Sequence, residues 1–199
     1  MNDLNLFQVA LSAWIIQDGN YSDFECDQVT RFALEFDSEN GLRLLRQAPE
    51  APSLRPLGDG FYAVEGTVSF RSRDAWVIDL GALKAFQLGK SPRRLSPGKG
   101  ITGEVRLGVD PFFYYESLFK QRSMPPLIYD WKIERIEIET APFVKSFEPG
   151  IGVVNVRDAS KRRRIPIEKT DAWNDDGGHG DYLLTCRRHS IAAHRHLDD

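Results

Sequence analysis

The chain has 199 residues, of which 41% are hydrophobic, 11% aromatic and 28% charged, and its net charge is −3. This composition excludes a disordered chain, because it supplies enough apolar surface for one domain or two small ones. The start is acidic, and Gln8 and Ser12 interrupt the apolar stretch from Leu6 to Ile16, so the sequence predicts neither an export signal nor a membrane span. A cytoplasmic protein is therefore expected.

The charges are distributed unevenly along the chain. Residues 1–60 contain four Arg and ten Asp or Glu, a balance of −6, which leaves +3 for residues 61–199. An acidic first third is a poor surface for nucleic acid, whereas the remainder would present a basic face if its charges cluster.

The N-terminal third predicts two strands around a loop. The apolar stretch Leu4 to Gln17 fits a buried helix or a buried strand by periodicity alone. Turn-forming residues follow from Asp18 to Asp23, and polar residues then alternate with β-branched and aromatic ones from Val29 to Phe36. Three prolines between Gln47 and Pro56 predict a linker or an exposed crossing.

Short strands are predicted in quick succession from Phe61 onward. They cover residues 61–71, 75–80, 83–88 and 100–109, with a Pro- and Gly-rich loop from Lys90 to Lys99. Such spacing is typical of a barrel or a sandwich. Residues 111–120 predict a short helix or a crossover whose aromatic residues pack in the core.

The last third continues the strand pattern. Strands are predicted at 131–139, 152–156, 164–169 and 182–187, with a loop bracketed by Pro142 and Pro149 and a frayed tail from Ala192 to Asp199. We therefore expect an all-β protein of small barrels or a sandwich of short antiparallel strands. It is either a single domain or two regions, 1–122 and 123–199, that meet near residues 121–127.

Residues 66–110 carry a resemblance to one known class of fold. They read as a strand from Gly66-Thr67-Val68, a second strand from Ala75 to Gly81, and the turn Leu95-Ser96-Pro97-Gly98 before a long strand through Ile101, Val105 and Val109. This resembles an S1-like member of the OB-fold class, whose five-stranded barrels often bind oligonucleotides. The segment departs from that family at Asp74-Ala75 and after Gly81, both near the face that would touch nucleic acid. The resemblance therefore implies a topology more than a ligand.

Oligonucleotide binding by such a barrel needs basic residues along the phosphate track and aromatic faces for base stacking. The candidate basic residues are Arg71, Arg73, Arg93 and Arg94. Phe70, Trp76 and Phe86 are candidate stacking platforms, although an apolar strand around Trp76 favours a core position for it.

A second basic group lies at Lys161-Arg162-Arg163-Arg164, which is predicted to cap a hairpin between Val153 and Ile167. A hairpin tip with this positive charge would bind phosphate groups. The alternative is a solvated turn whose arginines pair with nearby carboxylates such as Asp158 and Glu168, or with the acidic loop downstream.

The loop from Asp171 to Asp181 is the one acidic cluster that resembles a cation site. Its candidate ligands are Asp175, Asp176, His179 and Asp181. Their spacing does not fit an EF-hand, and a flexible turn is the simpler interpretation, so no metal is assigned. His189, His194 and His196 would chelate a metal only adventitiously.

Nothing in the sequence matches a catalytic or cofactor motif. It contains no GxSxG, phosphate loop, dinucleotide fingerprint or HExxH. Cys26 and Cys186 predict reduced, partly buried thiols, and Cys186 lies in an apolar run that favours an inert strand position.

The sequence therefore leaves the function unassigned, and no cofactor is predicted. A noncatalytic binding module for nucleic acid is the leading hypothesis. A protein-interaction module, or an enzyme or metal-binding protein that uses the Asp171–Asp181 loop, stays open as an alternative.

Overall fold

The computed structural model describes residues 5–38, 41–92, 94–190 and 192–196. Within these ranges the strands are Leu6–Ser12 (β1), Val29–Phe32 (β2), Leu34–Asp37 (β3), Arg43–Leu44 (β4), Ser53–Gly58 (β5), Phe61–Arg71 (β6), Ala75–Asp79 (β7), Lys84–Leu88 (β8), Gly100–Val109 (β9), Tyr129–Glu139 (β10), Phe143–Glu148 (β11), Gly152–Arg157 (β12), Arg164–Ile167 (β13) and Asp181–Arg188 (β14). The helices are Ala13–Gln17 (α1) and Phe113–Glu116 (α2), with 3-10 turns at Leu118–Lys120, Ala159–Lys161 and Asp175–Gly178.

Strands account for 50% of the chain and helices for 10%, which confirms the all-β prediction. Among the residues that the structure describes, no helix has the length and apolar character required to span a bilayer.

Five strands close into a barrel. β6, β7 and β8 form an antiparallel meander, and the long strand β9 returns to pair with β6. β3 fills the remaining position, antiparallel to β9 and parallel to β8. β5 adds an edge strand beside β6, so the proline-rich segment predicted as a linker or crossing ends in a strand.

The sheet continues beyond the barrel into the C-terminal half. β1 meets β9 at Gly108 and pairs with β14 along its whole length. β14 pairs in turn with β10, which also binds β13 and β2. Strands from before residue 122 therefore pair with strands from after it.

One hydrophobic core is shared between these parts. Trp131 of β10 is fully buried, its ring stacks on Phe32 of β2 at 5.3 Å, and Phe7 of β1 meets it edge-on at 5.7 Å. The Trp131 indole N–H also donates a hydrogen bond of 3.0 Å to the Phe32 carbonyl. The same core cluster reaches Trp76 and Val105 inside the barrel.

The structure corrects predictions for three segments outside the basic and acidic groups. The strand predicted over 29–36 is divided at Ala33, because β2 pairs with β10 while β3 pairs with β9. The loop predicted between Pro142 and Pro149 is strand β11, which pairs with β12. The part of the tail that is described is tied down rather than frayed, since His194 bridges to Ile128 and its ring lies 2.9 Å from the Asp130 carboxylate.

Candidate nucleic-acid interface

Two loops meet at one end of the barrel. Three pairings bring the strand ends together at this position. Arg71 of β6 pairs with Trp76 of β7, and Ala75 of β7 pairs with Leu88 of β8. Thr67 of β6 pairs with Gly100, the first residue of β9. The β6–β7 turn (residues 72–74) and the β8–β9 loop (residues 89–99) therefore lie side by side. Backbone and side-chain hydrogen bonds join them, from the Gly89 N–H to the Asp74 carbonyl at 2.7 Å and from Arg71 to the Leu95 carbonyl at 2.5 Å.

We call this surface the basic end. Its exposed cationic side chains are Arg71, Arg73, Lys90, Arg94 and Lys99. Asp74 is the one acidic residue in the sequence of 71–74 and 89–99, and it lies 3.9 Å from Arg73 with both side chains in solvent. A pair of that length in water contributes little, so the positive potential of the basic end is largely uncompensated. Arg93 belongs to the same loop by sequence but lies outside the described residues.

The second basic group lies elsewhere and is largely paired. Lys161 is 3.1 Å from Asp158, Arg162 pairs with Glu139 and Asp59, and Arg164 also pairs with Asp59. The Arg163 carbonyl accepts a hydrogen bond from the Thr140 N–H. These residues connect β12 to β13, which pair with β11 and β10 respectively, so the predicted hairpin between Val153 and Ile167 does not form.

The two basic groups cannot form one compact site. Arg164 contacts Asp59, which lies two residues before the start of β6, whereas Arg71 ends that strand. At about 3.3 Å per residue, ten residues of β6 separate the two positions by about 30 Å.

The candidate stacking platforms are buried. Phe70 is 7% exposed, Trp76 is 2% exposed and Phe86 is fully buried. The core position expected for Trp76 is confirmed, and none of the three rings offers a face to a base.

The acidic loop is organised around a guanidinium. Arg157 at the end of β12 contacts the carboxylates of Asp176 at 2.7 Å and Asp181 at 3.2 Å, and it donates to the His179 carbonyl at 2.9 Å. Asp175 instead accepts hydrogen bonds from the Tyr182 hydroxyl and the Asp171 N–H. No group of three or more His, Cys, Asp or Glu side chains converges on a metal position in the ranges that the structure covers.

A cavity of about 520 Å³ opens beside this guanidinium. It is lined by Ser12, Trp14, Phe143, His179 and Asp181, among others. The Ser12 hydroxyl donates to Asp181 at 2.9 Å, so the hydroxyl and the guanidinium together occupy that carboxylate. Cys186 is buried in β14, and burial raises the pKa of its thiol, which disfavours the nucleophilic thiolate.

One buried and one partly buried carboxyl group, those of Asp110 and Glu35, were not found from the sequence. Burial raises the pKa of Asp110 to about 7, and nearby Glu35 adds to the shift, although the backbone N–H groups of Tyr114 and Phe113 oppose it. Burial likewise raises the pKa of Glu35 to about 6. An Asp before a proline and an aromatic run is a helix-start pattern, and this was the available sequence signal for Asp110. The partial burial of Glu35 depends on the pairing of β3 with β8 and β9, which no local pattern reveals.

Comparison with protein-family models, with curated proteins and with solved structures found no match for this chain.

Proposed function

We propose that this protein is a noncatalytic binding module that holds the phosphate backbone of a nucleic acid against the basic end. The observation that carries the proposal is the concentration of exposed cations on two adjoining loops that contain a single acidic residue. Lysine and arginine side chains that neutralise phosphates release condensed counterions, and this release drives sequence-independent binding.

The strand arrangement of the barrel supports this proposal. A meander of three strands, followed by a long strand that pairs back with the first, is the arrangement that the OB-fold resemblance implies for residues 66–110. In this chain the strand between β8 and β9 is β3, which precedes the meander instead of following β9. The proposal of an OB-like barrel therefore concerns the spatial arrangement and not the order of the strands along the chain.

Arg71, Arg73 and Arg94, with Arg93 from the same loop, are the residues to which we assign binding. Arg162 and Arg164 are expected to contribute little, because their guanidinium groups already face Asp59 and Glu139. We expect the affinity to depend little on nucleotide sequence, because base readout needs contacts to base edges or stacked rings.

The test is a titration of the protein into labelled single-stranded DNA, single-stranded RNA and duplex DNA at about 50 mM and about 200 mM salt. We expect affinity to fall steeply with salt. The variant Arg73→Glu/Arg94→Glu should bind at least about tenfold more weakly, and its plot of log affinity against log salt should be shallower by about two.

The matched control is Arg55→Glu/Lys169→Glu, which also reverses two exposed positive charges. Arg55 pairs with Ala63 near the far end of β6, and Lys169 follows β13. Wild-type affinity in this control, with loss in the first variant, supports the basic end as the site. Equal losses in both variants would indicate a response to net charge alone, and an absence of binding at low salt would refute the proposal.

A protein-interaction module is the second candidate function, and a specific observation favours it. Several large apolar side chains of the β11–β12 hairpin are exposed, among them Phe147 and Ile151 at 73% each. Contiguous exposed apolar surface of this kind marks interaction sites more often than a scattered exposed residue does.

A further inference from the structure

The strands β11 and β12 form an arm that is separate from the main sheet. The arm is inserted between β10 and β13, and within the described part of the chain its strands pair only with each other. At its base, Arg157 lies 4.6 Å from the centroid of the Phe143 ring and donates to the Ala141 carbonyl. The base is therefore fixed to the acidic loop, while both outer edges of the arm retain unpaired backbone groups.

The far end of the arm is apolar. Phe147 lies directly opposite Val153, which is 68% exposed, and Ile151 follows Pro149-Gly150 in the connecting turn. At the base, Phe143 is 46% exposed and borders the same cavity as Trp14, which is 51% exposed. Apolar surface is thus present at both the tip and the base of the arm.

We propose that the arm is a dimerisation interface between two copies of this chain. In this dimer two arms lie antiparallel about a two-fold axis, so the tip of each copy covers Phe143 and Trp14 of the other. A two-fold interface requires a surface that is complementary to itself, and an arm with apolar groups at both ends meets that requirement. Adjacent arm edges would also satisfy each other's backbone groups.

The available area suits a second copy. Aromatic side chains have about 150 to 250 Å² of surface each, so the exposed fractions of Trp14, Phe143 and Phe147 amount to roughly 350 Å² per copy, and the exposed Ile151 and Val153 add to it. A stable interface buries about 800 Å² per partner, and the backbone and polar atoms of two adjacent arms supply the remainder.

The charge of the arm also suits a second copy. Between Phe143 and Val156 its charged residues are Lys145 and Glu148, which cancel. Arg157 is neutralised by Asp176 and Asp181. Two identical arms therefore approach each other without like-charge repulsion, whereas two basic ends would repel each other.

Sedimentation equilibrium over a wide concentration range tests the proposal. We expect the wild-type chain to be dimeric and the variant Phe147→Asp/Val153→Asp to be monomeric. The control Val29→Asp/Leu57→Asp places the same charges at exposed apolar positions outside the arm and should stay dimeric. A monomeric wild type at high concentration, or a dimer that survives the arm substitutions, would overturn the proposal.

Two further measurements show whether the arm variant is still folded and how the two arms are arranged. Thermal unfolding should be nearly unchanged in the arm variant at a concentration where the wild type is dissociated, because the substituted side chains already face solvent; a large drop would mean that they support the fold instead.

Oxidation of Trp14→Cys/Ile151→Cys should yield a covalent dimer. A six-residue strand spans about 20 Å, which places the two cysteines of one copy too far apart for an internal disulfide. Equally efficient cross-linking of Ile151→Cys alone would indicate tip-to-tip contact and overturn the antiparallel arrangement.

Discussion

Asp110 shows how a single buried carboxyl group makes the stability of this fold depend on pH. The side chain is 2% exposed and accepts hydrogen bonds from the N–H groups of Phe113 and Tyr114 at 2.8 and 3.0 Å, which holds the start of α2. Burial nevertheless raises its pKa to about 7, against an ordinary value near 4. At pH values between these two pKa values, the folded state therefore keeps a proton on Asp110 that the unfolded state has released.

We predict that the free energy of unfolding falls as the pH rises through this window. Because the unfolded state binds fewer protons there, each pH unit costs up to about 1.4 kcal/mol, and Asp110 should account for about 3 kcal/mol between pH 5 and pH 8. Urea denaturation at several pH values measures the slope. Asp110→Asn removes the ionisation and should flatten the curve, apart from the smaller contribution of Glu35, whose pKa is about 6. Parallel curves for the two proteins would contradict the prediction.

The sequence predicts which residue types carry charge, but not the residues with which they pair. The run Lys161–Arg164 is the more basic of the two groups in the sequence, but only the structure shows that Arg162 pairs with Asp59 and Glu139. Both carboxylates lie outside the run itself, so the pairing is a product of the fold. In the same way, Asp176 and Asp181 suggested a cation, and the cation they meet is the guanidinium of Arg157.

Close packing inside the barrel makes β6 sensitive to one glycine. A Cβ atom at Gly66 would lie 2.6 Å from the Asp79 carbonyl oxygen and 2.9 Å from a methyl carbon of Leu80. We predict that Gly66→Ala destabilises the protein by about 2 kcal/mol, because backbone or side chains must shift to admit the methyl group. Gly108→Ala is the matched control, since its nearest neighbour would be the Ala10 carbonyl oxygen at 3.7 Å, and it should change stability by less than about 0.5 kcal/mol. Equal denaturation midpoints for the two variants would disprove this account.

Individual strands were predictable where turn residues mark both ends of the local pattern. The bounds of β6 and β9 match the predicted ranges, because turn residues flank each run of strand-forming residues. β11 was missed because Pro142 and Pro149 dominate its local pattern, although both lie just outside the strand. The division at Ala33 was missed because it is set by partners about 100 and 75 residues away, β10 and β9.

For the whole molecule, the sequence was sufficient for the all-β class and for the meander of β6, β7 and β8. Closure of the barrel by β3 and continuation of the sheet through β1, β14 and β10 were not predicted, since these pairings join distant parts of the chain. The suggested boundary near residues 121–127 separates β1 and β2 from their partners β14 and β10.

We therefore predict that the chain unfolds in one cooperative transition. Phe7 and Phe32 precede the suggested boundary, and both of their rings contact that of Trp131, which follows it. All three belong to one core, so loss of either region would expose apolar surface of the other. Differential scanning calorimetry should give a calorimetric enthalpy equal to the van't Hoff enthalpy. A fragment of residues 1–122 should fail to give the sharp transition of the full chain, because β1 and β2 lose their partner strands. Two resolved transitions, together with a cooperatively folded fragment, would instead show that regions 1–122 and 123–199 are independent domains.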